Sequence, residues 1–263
     1  MSVEASTPVL SEVAERVGVT LEVAQGVLGD IPAAELEGKS LDHLAWIVRG
    51  QWRAAAERRQ GEPVVVVEEE LPRSLVADAV EHAGVSSLTS GVVVRVVTDD
   101  TAFVVDSLVA AFTARGAGIG DLVHPQMRAV RDDAGRLITA TRNRKRQGAV
   151  RLPGHSEELP AGAHEVAESW VYLHLSPEGE FDGSQDMVET VHKVLRDVRL
   201  ASEDWQSMRD MALQTADDLE NDPPVSVPEF ATADVRRFLH WLADDNFTFL
   251  GYREYALDVV DGE

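Results

Sequence analysis

Two adjacent carboxylates and a hydroxyl, Asp99, Asp100 and Thr101, have the residue types and spacing best suited to ligand chemistry. They lie between the apolar run 91–98, which predicts a strand, and a helical pattern over 101–115. The first N–H groups of a helix can hold a carboxylate, and an Asp side chain can pair with an ammonium group. The alternative is that one Asp only caps the helix.

Other catalytic and cofactor patterns are absent from the sequence. The glycine-rich run GAGIG at 116–120 follows a helical pattern and precedes a strand, the reverse of the order that a dinucleotide pyrophosphate requires. We therefore interpret it as a helix end and a turn. There is no cysteine, and the eight histidines show no metal-ligand spacing. No nucleophile-elbow pattern is present. We predict no catalytic, cofactor-binding or metal-binding residue in this sequence.

The charge balance narrows the classes of partner. The 263 residues include 46 Asp and Glu against 24 Lys and Arg, a formal net charge of −22. This balance disfavours nucleic acid and anionic membranes as partners. The one basic run, RNRKR at 142–146, is interpreted as a hairpin tip or as a contact with an acidic surface. No apolar run is long enough to cross a bilayer and no signal peptide is evident, so we expect a cytoplasmic protein.

Helical periodicity predicts three helices before residue 62. Apolar side chains recur on one face in the segments 8–17, 21–28 and 41–57. Thr20 and Ser40 are suited to cap the second and third helices. The third helix is expected to end in RRQG at 58–61, where cations and a glycine follow the apolar stripe.

The stretch from 63 to 200 alternates strand and helix patterns. Strands are predicted at 64–67, 91–98, 122–131, 136–140 and 166–175, and helices at 101–115 and 183–198. The order β-α-β-β-α from residue 91 matches most of a ferredoxin-like unit, in which two helices cover one face of an antiparallel sheet. The last strand of that unit is not evident. We predict an α+β fold.

After residue 200 the sequence predicts helices at 203–219 and 232–243 and a strand at 247–257. Trp170, Trp205 and Trp241 are expected to anchor packing. The last strand leads to a hairpin signal, Asp-Gly at 261–262, without a partner strand, so we expect a fragment of a longer protein. The alternative is an edge strand and a frayed tail.

The predicted organisation has four parts. They are a helical segment 1–62, an α+β domain 63–200 with an inserted hairpin at 141–165, a helical linker 201–230, and the truncated start of a second such domain at 231–263.

Several motifs occur in a fixed order within residues 40–257. They are VTDDTAFVVDS at 97–107, HP at 124–125, VRDDAGRL at 130–137, ESWV at 168–171, VLRDVR at 194–199, DW at 204–205 and WLADDNFTFLGYR at 241–253. Together they resemble the N-terminal region of the large NAD-specific glutamate dehydrogenases. Two features depart from the family pattern: Ala102 stands where the family has a proline, and the segment 64–70 is apolar and then acidic.

The resemblance implies both a fold and a function. It implies ACT-like domains, which often bind amino acids and mediate assembly, in a parent enzyme that converts L-glutamate to 2-oxoglutarate and ammonia with NAD. This segment would then be non-catalytic and regulatory. Its partners would be downstream domains of the same chain and further copies in a homo-oligomer. In ACT-type domains the strand-to-helix loop often meets an effector, which makes Asp99, Asp100 and Thr101 the candidate effector site.

Two alternatives remain open on the sequence. A free-standing amino-acid sensor would bind a ligand tightly, and a small hydrolase would show turnover by the isolated chain.

Overall fold

The computed structural model describes residues 7–29, 31–32, 36, 39–69, 91–143, 159–223 and 228–253. The chain divides into two compact units, residues 1–195 and 196–263. The sequence also favours a short helix at 75–82; this segment and most of the predicted hairpin insertion lie outside the described residues.

The three predicted N-terminal helices are confirmed: α1 is Thr7–Val17, α2 is Leu21–Leu28 and α3 is Leu41–Ala54. The two caps are confirmed as well. Thr20 Oγ1 accepts from the backbone N–H of residue 23 at 3.4 Å, and Ser40 Oγ accepts from that of residue 43 at 3.2 Å. Each cap satisfies an N–H group that the helix cannot pair internally.

The predicted end of α3 at 58–61 is wrong. The helix stops at Ala54 because the next residues turn to meet a hairpin of the sheet. The backbone N–H of Arg58 donates to Gly135 O, and that of Leu137 donates to Ala56 O, both at 2.9 Å. Tertiary hydrogen bonds replace those of a further helical turn, so Arg58 faces the protein interior.

Six strands form one antiparallel sheet, which confirms the α+β prediction. The strands are β1 Val64–Glu68, β2 Val92–Asp99, β3 Ile119–Val123, β4 Gln126–Asp132, β5 Leu137–Arg142 and β6 Ala163–Leu175. Their order is β1-β2-β6-β4-β5, and β3 also pairs with β6. A ferredoxin-like unit places its last strand beside its first. Here β1, which precedes the unit, occupies that position beside β2.

The predicted strand 122–131 consists of two collinear strands. Val123 of β3 pairs with Tyr172, and Gln126 of β4 pairs with Ser169, so the register along β6 is unchanged across the break. Pro125 lies in the break because it has no N–H to donate. Its carbonyl still accepts from the backbone N–H of Trp170 at 3.0 Å.

The continuous run of β-branched residues at 64–67 predicts a buried strand, and this prediction is wrong. All five residues of β1 are half-buried. The strand lies at the end of the sheet order, so its side chains gain neighbours from β2 on one side only.

Both faces of the sheet are buried. One face contributes Val93, Val97, Trp170 and Tyr172 to a core with α1, α2 and α3. Side chains alternate along a strand, so Val94, Val96, Val171, Leu173 and Leu175, which are also fully buried, lie on the other face. We assign to that face the buried stripes of α4, Val104–Thr113, and of the first part of α5, Gly183–Asn221.

The helical segment predicted at 1–62 therefore packs against the sheet of the domain predicted at 63–200, and the described parts of both lie in one compact unit. The predicted division of the chain at residues 62 and 200 stays a prediction.

The glycine-rich run ends α4, as predicted. Gly116 has a φ of +81°, a backbone conformation that suits glycine, and the N–H of Ala117 donates to Phe112 O at 3.2 Å. The predicted start of this helix at Thr101 is wrong, because α4 begins at Val104.

The two helices predicted at 183–198 and 203–219 are a single helix, α5, of 39 residues. No proline or glycine interrupts the segment between them, so the helix continues. α6, Glu229–Trp241, follows and leads into a π-helical turn, Leu242–Asn246. Residues 247–253 belong to no strand, and residues 254–257 of the predicted strand lie outside the described residues. The second ACT-like domain stays a prediction.

Gly50 of α3 provides a test of this packing. A Cβ at this position would lie 2.1 Å from Arg95 Cζ, and Arg95 is fully buried. Gly→Ala normally stabilises a helix interior, by about 0.5–1 kcal/mol. We expect Gly50→Ala to lower the free energy of unfolding by about 1–3 kcal/mol, because the guanidinium has little room to move.

Urea denaturation checks this sign, with Arg53→Ala on the exposed side of α3 as the control. A stabilising Gly50→Ala would contradict the close approach of Arg95 to α3.

Candidate functional site

The helix-facing side of β6 carries polar residues in an otherwise apolar layer. Glu168, Trp170, Tyr172 and His174 alternate along the strand, and all four are buried. Their cross-strand partners on β2 are residues 99, 97, 95 and 93. Two polar clusters result, one around Glu168 and one around the Arg95–Tyr172 pair.

Glu168 is the centre of the first cluster. Its carboxylate is fully buried and accepts from Arg58 Nε at 2.8 Å and from Arg131 Nε at 2.7 Å on Oε1. Its Oε2 accepts from Arg131 Nη2 at 2.9 Å and from Trp170 Nε1 at 2.8 Å. Each carboxylate oxygen thus accepts two hydrogen bonds, and the two arginines that donate come from other parts of the chain.

Arg58 also resolves a like-charge contact. Asp99 and Glu168 are directly opposite each other on β2 and β6, an arrangement that destabilises a sheet. Arg58 Nη2 donates to Asp99 Oδ1 at 2.8 Å while its Nε donates to Glu168. Asp99 Oδ2 accepts from the backbone N–H of Gly61 at 2.9 Å. A cation from the segment after α3 therefore bridges the two strands.

Arg131 connects the same carboxylate to the β4–β5 hairpin. Its Nη1 donates to the carbonyl of Ala55 at 2.9 Å and to that of Gly135 at 2.8 Å. Burial raises the pKa of Glu168, but the hydrogen bond from Arg131 and the charge of Arg58 outweigh it, so the pKa lies below its usual value. Glu168 is therefore ionised at neutral pH.

Arg95 forms the second cluster. Its Nε donates to Glu68 Oε2 at 3.0 Å and its Nη1 donates to Ile47 O at 3.1 Å. The guanidinium lies 4.3 Å from the ring centroid of Trp46 and 5.1 Å from that of Tyr172. Burial lowers the pKa of Arg95, and burial raises the pKa of Tyr172. Tyr172 is therefore a neutral phenol and Arg95 a cation held by one carboxylate.

Asp121 of β3 lies beside this cluster. Lys39 Nζ donates to both of its carboxylate oxygens at 2.9 Å, and His43 Nε2 is 3.9 Å from Oδ2. Arg95 Nη2, Tyr172 OH and His174 Nε2 are buried and have no hydrogen-bond partner within the described part of the chain. Buried polar atoms without partners are costly, so this cluster is less well satisfied than the one at Glu168.

The predicted effector residues have structural partners. Asp99 belongs to the Glu168 cluster. Asp100 Oδ1 accepts from Gln126 Nε2 at 3.1 Å and from Ser169 Oγ at 2.8 Å. Neither Asp caps α4, whose N-cap is Phe103 at a φ of +68°. Thr101 lies in the connecting loop and is half-buried. No observation tests effector binding at these residues, which stays a prediction.

The basic run is only partly described. Arg142 ends β5, and its Nη1 donates to Gly29 O at 3.3 Å. Residues 144–146 lie outside the described residues. Within the described ranges, no group of three or more His, Asp or Glu side chains is arranged to hold a metal ion. None of the helices described there is long and apolar enough to span a membrane.

Comparison with known protein families identifies the fold of this site. A family model described as the glutamate dehydrogenase ACT1 domain matches residues 23–190. The match runs from α2 to the first part of α5 and includes all six strands and both polar clusters. The chain belongs to the ACT1-domain family of glutamate dehydrogenases. The family expected from the sequence motifs is confirmed.

Individual relatives agree with this family. The chain is 27% identical to an NAD-specific glutamate dehydrogenase of Halomonas elongata over 227 residues, which is 86% of this chain and 12% of the relative. It is 26% identical to the Pseudomonas aeruginosa enzyme of the same name over 87% of this chain and 12% of the relative. A third, from Mycobacterium tuberculosis, is 29% identical over 97 residues, 37% of this chain and 6% of the relative. The chain thus spans about 12% of the length of the first two relatives.

Sequence reasoning missed the Glu168 cluster in this ACT1-family domain. Arg58 was interpreted as a helix-end cation, and Glu168 only as part of a motif. One signal could have identified the cluster: Glu168 falls on the same side of a strand as Trp170 and Tyr172, where burial is expected. A buried carboxylate requires a cation, which directs attention to unpaired arginines elsewhere in the chain.

The Glu168 cluster predicts that a nearly isosteric substitution of Glu168 lowers the free energy of unfolding strongly. Glu168→Gln keeps the shape of the side chain but leaves Arg58 and Arg131 buried without their carboxylate. We expect the free energy of unfolding to fall by about 3–5 kcal/mol. The control is Glu165→Gln, which removes the exposed pair with Arg128 and should cost less than about 1 kcal/mol. Urea denaturation of both variants checks this, and equal small losses would contradict the cluster's structural role.

His174 predicts a pH dependence. Burial lowers its pKa and so does Lys39, while Asp121 opposes both. As the pH falls, His174 is therefore protonated at about pH 6.5 in the unfolded chain but only at a lower pH in the folded chain. We expect stability to be full above about pH 6.5 and to decrease as the pH falls from there toward the lowered pKa.

His174→Asn cannot titrate, so it is expected to lose less stability than the unsubstituted chain when the pH falls from about 7 to 5.5. Denaturation at each pH measures this difference. His240→Asn, at a more exposed site in α6, is the control. An unchanged pH dependence in His174→Asn would contradict this assignment.

Proposed function

We propose that this chain is the N-terminal regulatory and assembly segment of a longer NAD-dependent glutamate dehydrogenase and is not itself catalytic. The match of residues 23–190 to the glutamate dehydrogenase ACT1 domain carries this proposal. Two relatives that align with 86–87% of this chain are named NAD-specific glutamate dehydrogenase, and this chain spans about 12% of each. The parent would oxidise L-glutamate with NAD and water to 2-oxoglutarate and ammonia.

The site geometry supports a non-catalytic role. The buried charged side chains of the described residues are paired with other side chains of the fold: Glu168 contacts Arg58 and Arg131, and Arg95 contacts the partly exposed Glu68. Lys39 and Asp121, both partly buried, pair with each other. A catalytic group needs access to substrate and a proton or charge to give. These groups instead connect α3 to the sheet, as expected for a domain with a structural or regulatory role.

We also propose binding partners and a cellular location for this segment. NAD would bind in downstream domains of the same chain, and further copies would form a homo-oligomer. A cytoplasmic location fits a chain that contains no cysteine, since secreted proteins often depend on disulfides.

We also propose that this segment binds an amino-acid effector. We place it at Asp99, Asp100 and Thr101, in the loop that leads to α4. The side chain of Asp99 is 36% exposed although it is paired with Arg58, so a ligand ammonium group could reach it from solvent. Such a ligand would share or replace the contact with Arg58 and would thereby act on the Glu168 cluster.

The test uses the longer polypeptide that contains this segment. We expect that polypeptide to reduce NAD in the presence of L-glutamate and the 263-residue chain alone to show no turnover. Glu168→Gln in the longer polypeptide should change its assembly state, measured by sedimentation, because it loosens the segment. Glu165→Gln should not.

A folded longer polypeptide without glutamate-dependent NAD reduction would contradict the parent activity. Turnover by the isolated chain would contradict the non-catalytic role.

A further inference from the structure

The C-terminal unit exposes more large apolar side chains than the first unit, although it is much shorter. Of the thirteen exposed large apolar residues of the described chain, nine lie in the unit 196–263. Seven of them lie on α6 and the segment after it, and the six most exposed, at 50–73%, are Phe230, Phe238, Trp241, Phe247, Leu250 and Tyr252. We call these six residues the aromatic face. Trp205 and Trp241, predicted as packing anchors, are 43% and 51% exposed, so that prediction is wrong for both and holds for Trp170.

α6 has two sides with different roles. Thr232 of α6 and Ala243 of the π-helical turn that follows it are buried. Arg236 of α6 pairs with Glu220 of α5, and Arg209 of α5 donates to Ala243 O at 2.8 Å. Phe230, Phe238 and Trp241 fall on the opposite side of the helix, by its 3.6-residue repeat. α6 therefore contacts α5 by one stripe and turns its aromatic stripe away from it.

The apolar core of the C-terminal unit is too small to bury these side chains. Its buried residues among those described are Val198, Ala216, Thr232 and Ala243, which are small or medium in size. A helix stripe of this kind is stable when another element covers it. Large side chains bury about 150–250 Å² each when covered, so six half-exposed ones present on the order of 500 Å². Phe230, Phe238 and Trp241 share one side of α6, and apolar side chains exposed together in this way mark interaction sites.

Charge decides between the possible occupants. Residues 196–263 contain 16 Asp and Glu against 6 Lys and Arg. A second copy would bring the same acidic unit against this one, and like charges across an interface are costly. An anionic membrane would be repelled for the same reason. The occupant must therefore be apolar and must not carry this acidic unit itself.

We propose that the aromatic face docks on a following part of the same polypeptide that presents an apolar surface. This proposal rests on the proposed function, in which the chain is one segment of a longer enzyme. The relatives that align with 86–87% of this chain have most of their length outside the alignment, since the chain spans only 12% of each. The face also lies after residue 190, where the ACT1 match ends.

Hydrogen–deuterium exchange of the unmodified proteins tests the docking. Peptides from α6, residues 229–241, are compared between the 263-residue chain and the longer polypeptide. We expect exchange in α6 to slow at least tenfold in the longer polypeptide. Peptides from residues 168–175 of β6 serve as the control and should exchange equally in both, because this part of β6 is already buried.

A matched pair of variants in the longer polypeptide makes the test specific. Phe238→Ser should remove most of the added protection of α6. Ile138→Ser changes an apolar residue of similar exposure on β5, 44% against 56%, and should leave the protection in place.

Two outcomes would overturn the docking proposal. One is equal α6 exchange in the 263-residue chain and in a longer polypeptide that reduces NAD with glutamate. The other is α6 protection in the 263-residue chain that rises with concentration as its mass doubles, which would assign the face to a second copy. Loss of the glutamate activity with α6 still protected in the longer polypeptide would instead contradict the proposed function and support the docking.

Discussion

The buried carboxylate of Glu168 is the constraint on which the rest of the structure depends. It lies opposite Asp99 across two central strands, so the sheet can form only with cations between and beside them. Arg58 and Arg131 provide these cations from two distant parts of the chain. A buried carboxylate without them would be far more costly than a missing apolar contact. The segment after α3 and the β4–β5 hairpin must therefore both be in place around the sheet.

This requirement explains why the N-terminal helices belong to the same compact unit as the ACT1-family sheet. α3 ends early so that Arg58 can enter the interior, and Arg95 reaches back from β2 to the carbonyl of Ile47 in α3. The two polar clusters thus join helices and sheet at two places along β6. Asp99, at the start of the loop, is part of the first cluster through Arg58. A change in the charge around Asp99 would therefore alter the electrostatic interactions of Glu168 with Arg58 and Arg131.

Local features of the fold were predictable from the sequence, and distant ones were not. Thr20, Ser40 and Gly116 act on backbone groups within a few residues, so their roles can be recognised from position alone. The partner of Glu168 in Arg58 lies 110 residues away, and no periodic pattern connects them. The two predicted helices around residue 200 are one, because a weak apolar pattern there does not break a helix that lacks proline and glycine. The effector site at Asp99, Asp100 and Thr101 stays a prediction. The contacts that Asp99 and Asp100 make in the fold could not be read from the sequence, because their partners lie on other strands.

Native-state hydrogen exchange tests the central claim, that the Glu168 cluster makes the N-terminal helices and the sheet one cooperative unit. The opening free energies of amides in α3, residues 41–54, are compared with those in β6, residues 163–175. We expect the same opening free energy for the slowest amides of both elements. Opening of α3 at a much lower free energy, while β6 remains closed, would show that the helices are attached to the sheet and are not part of its cooperative unit.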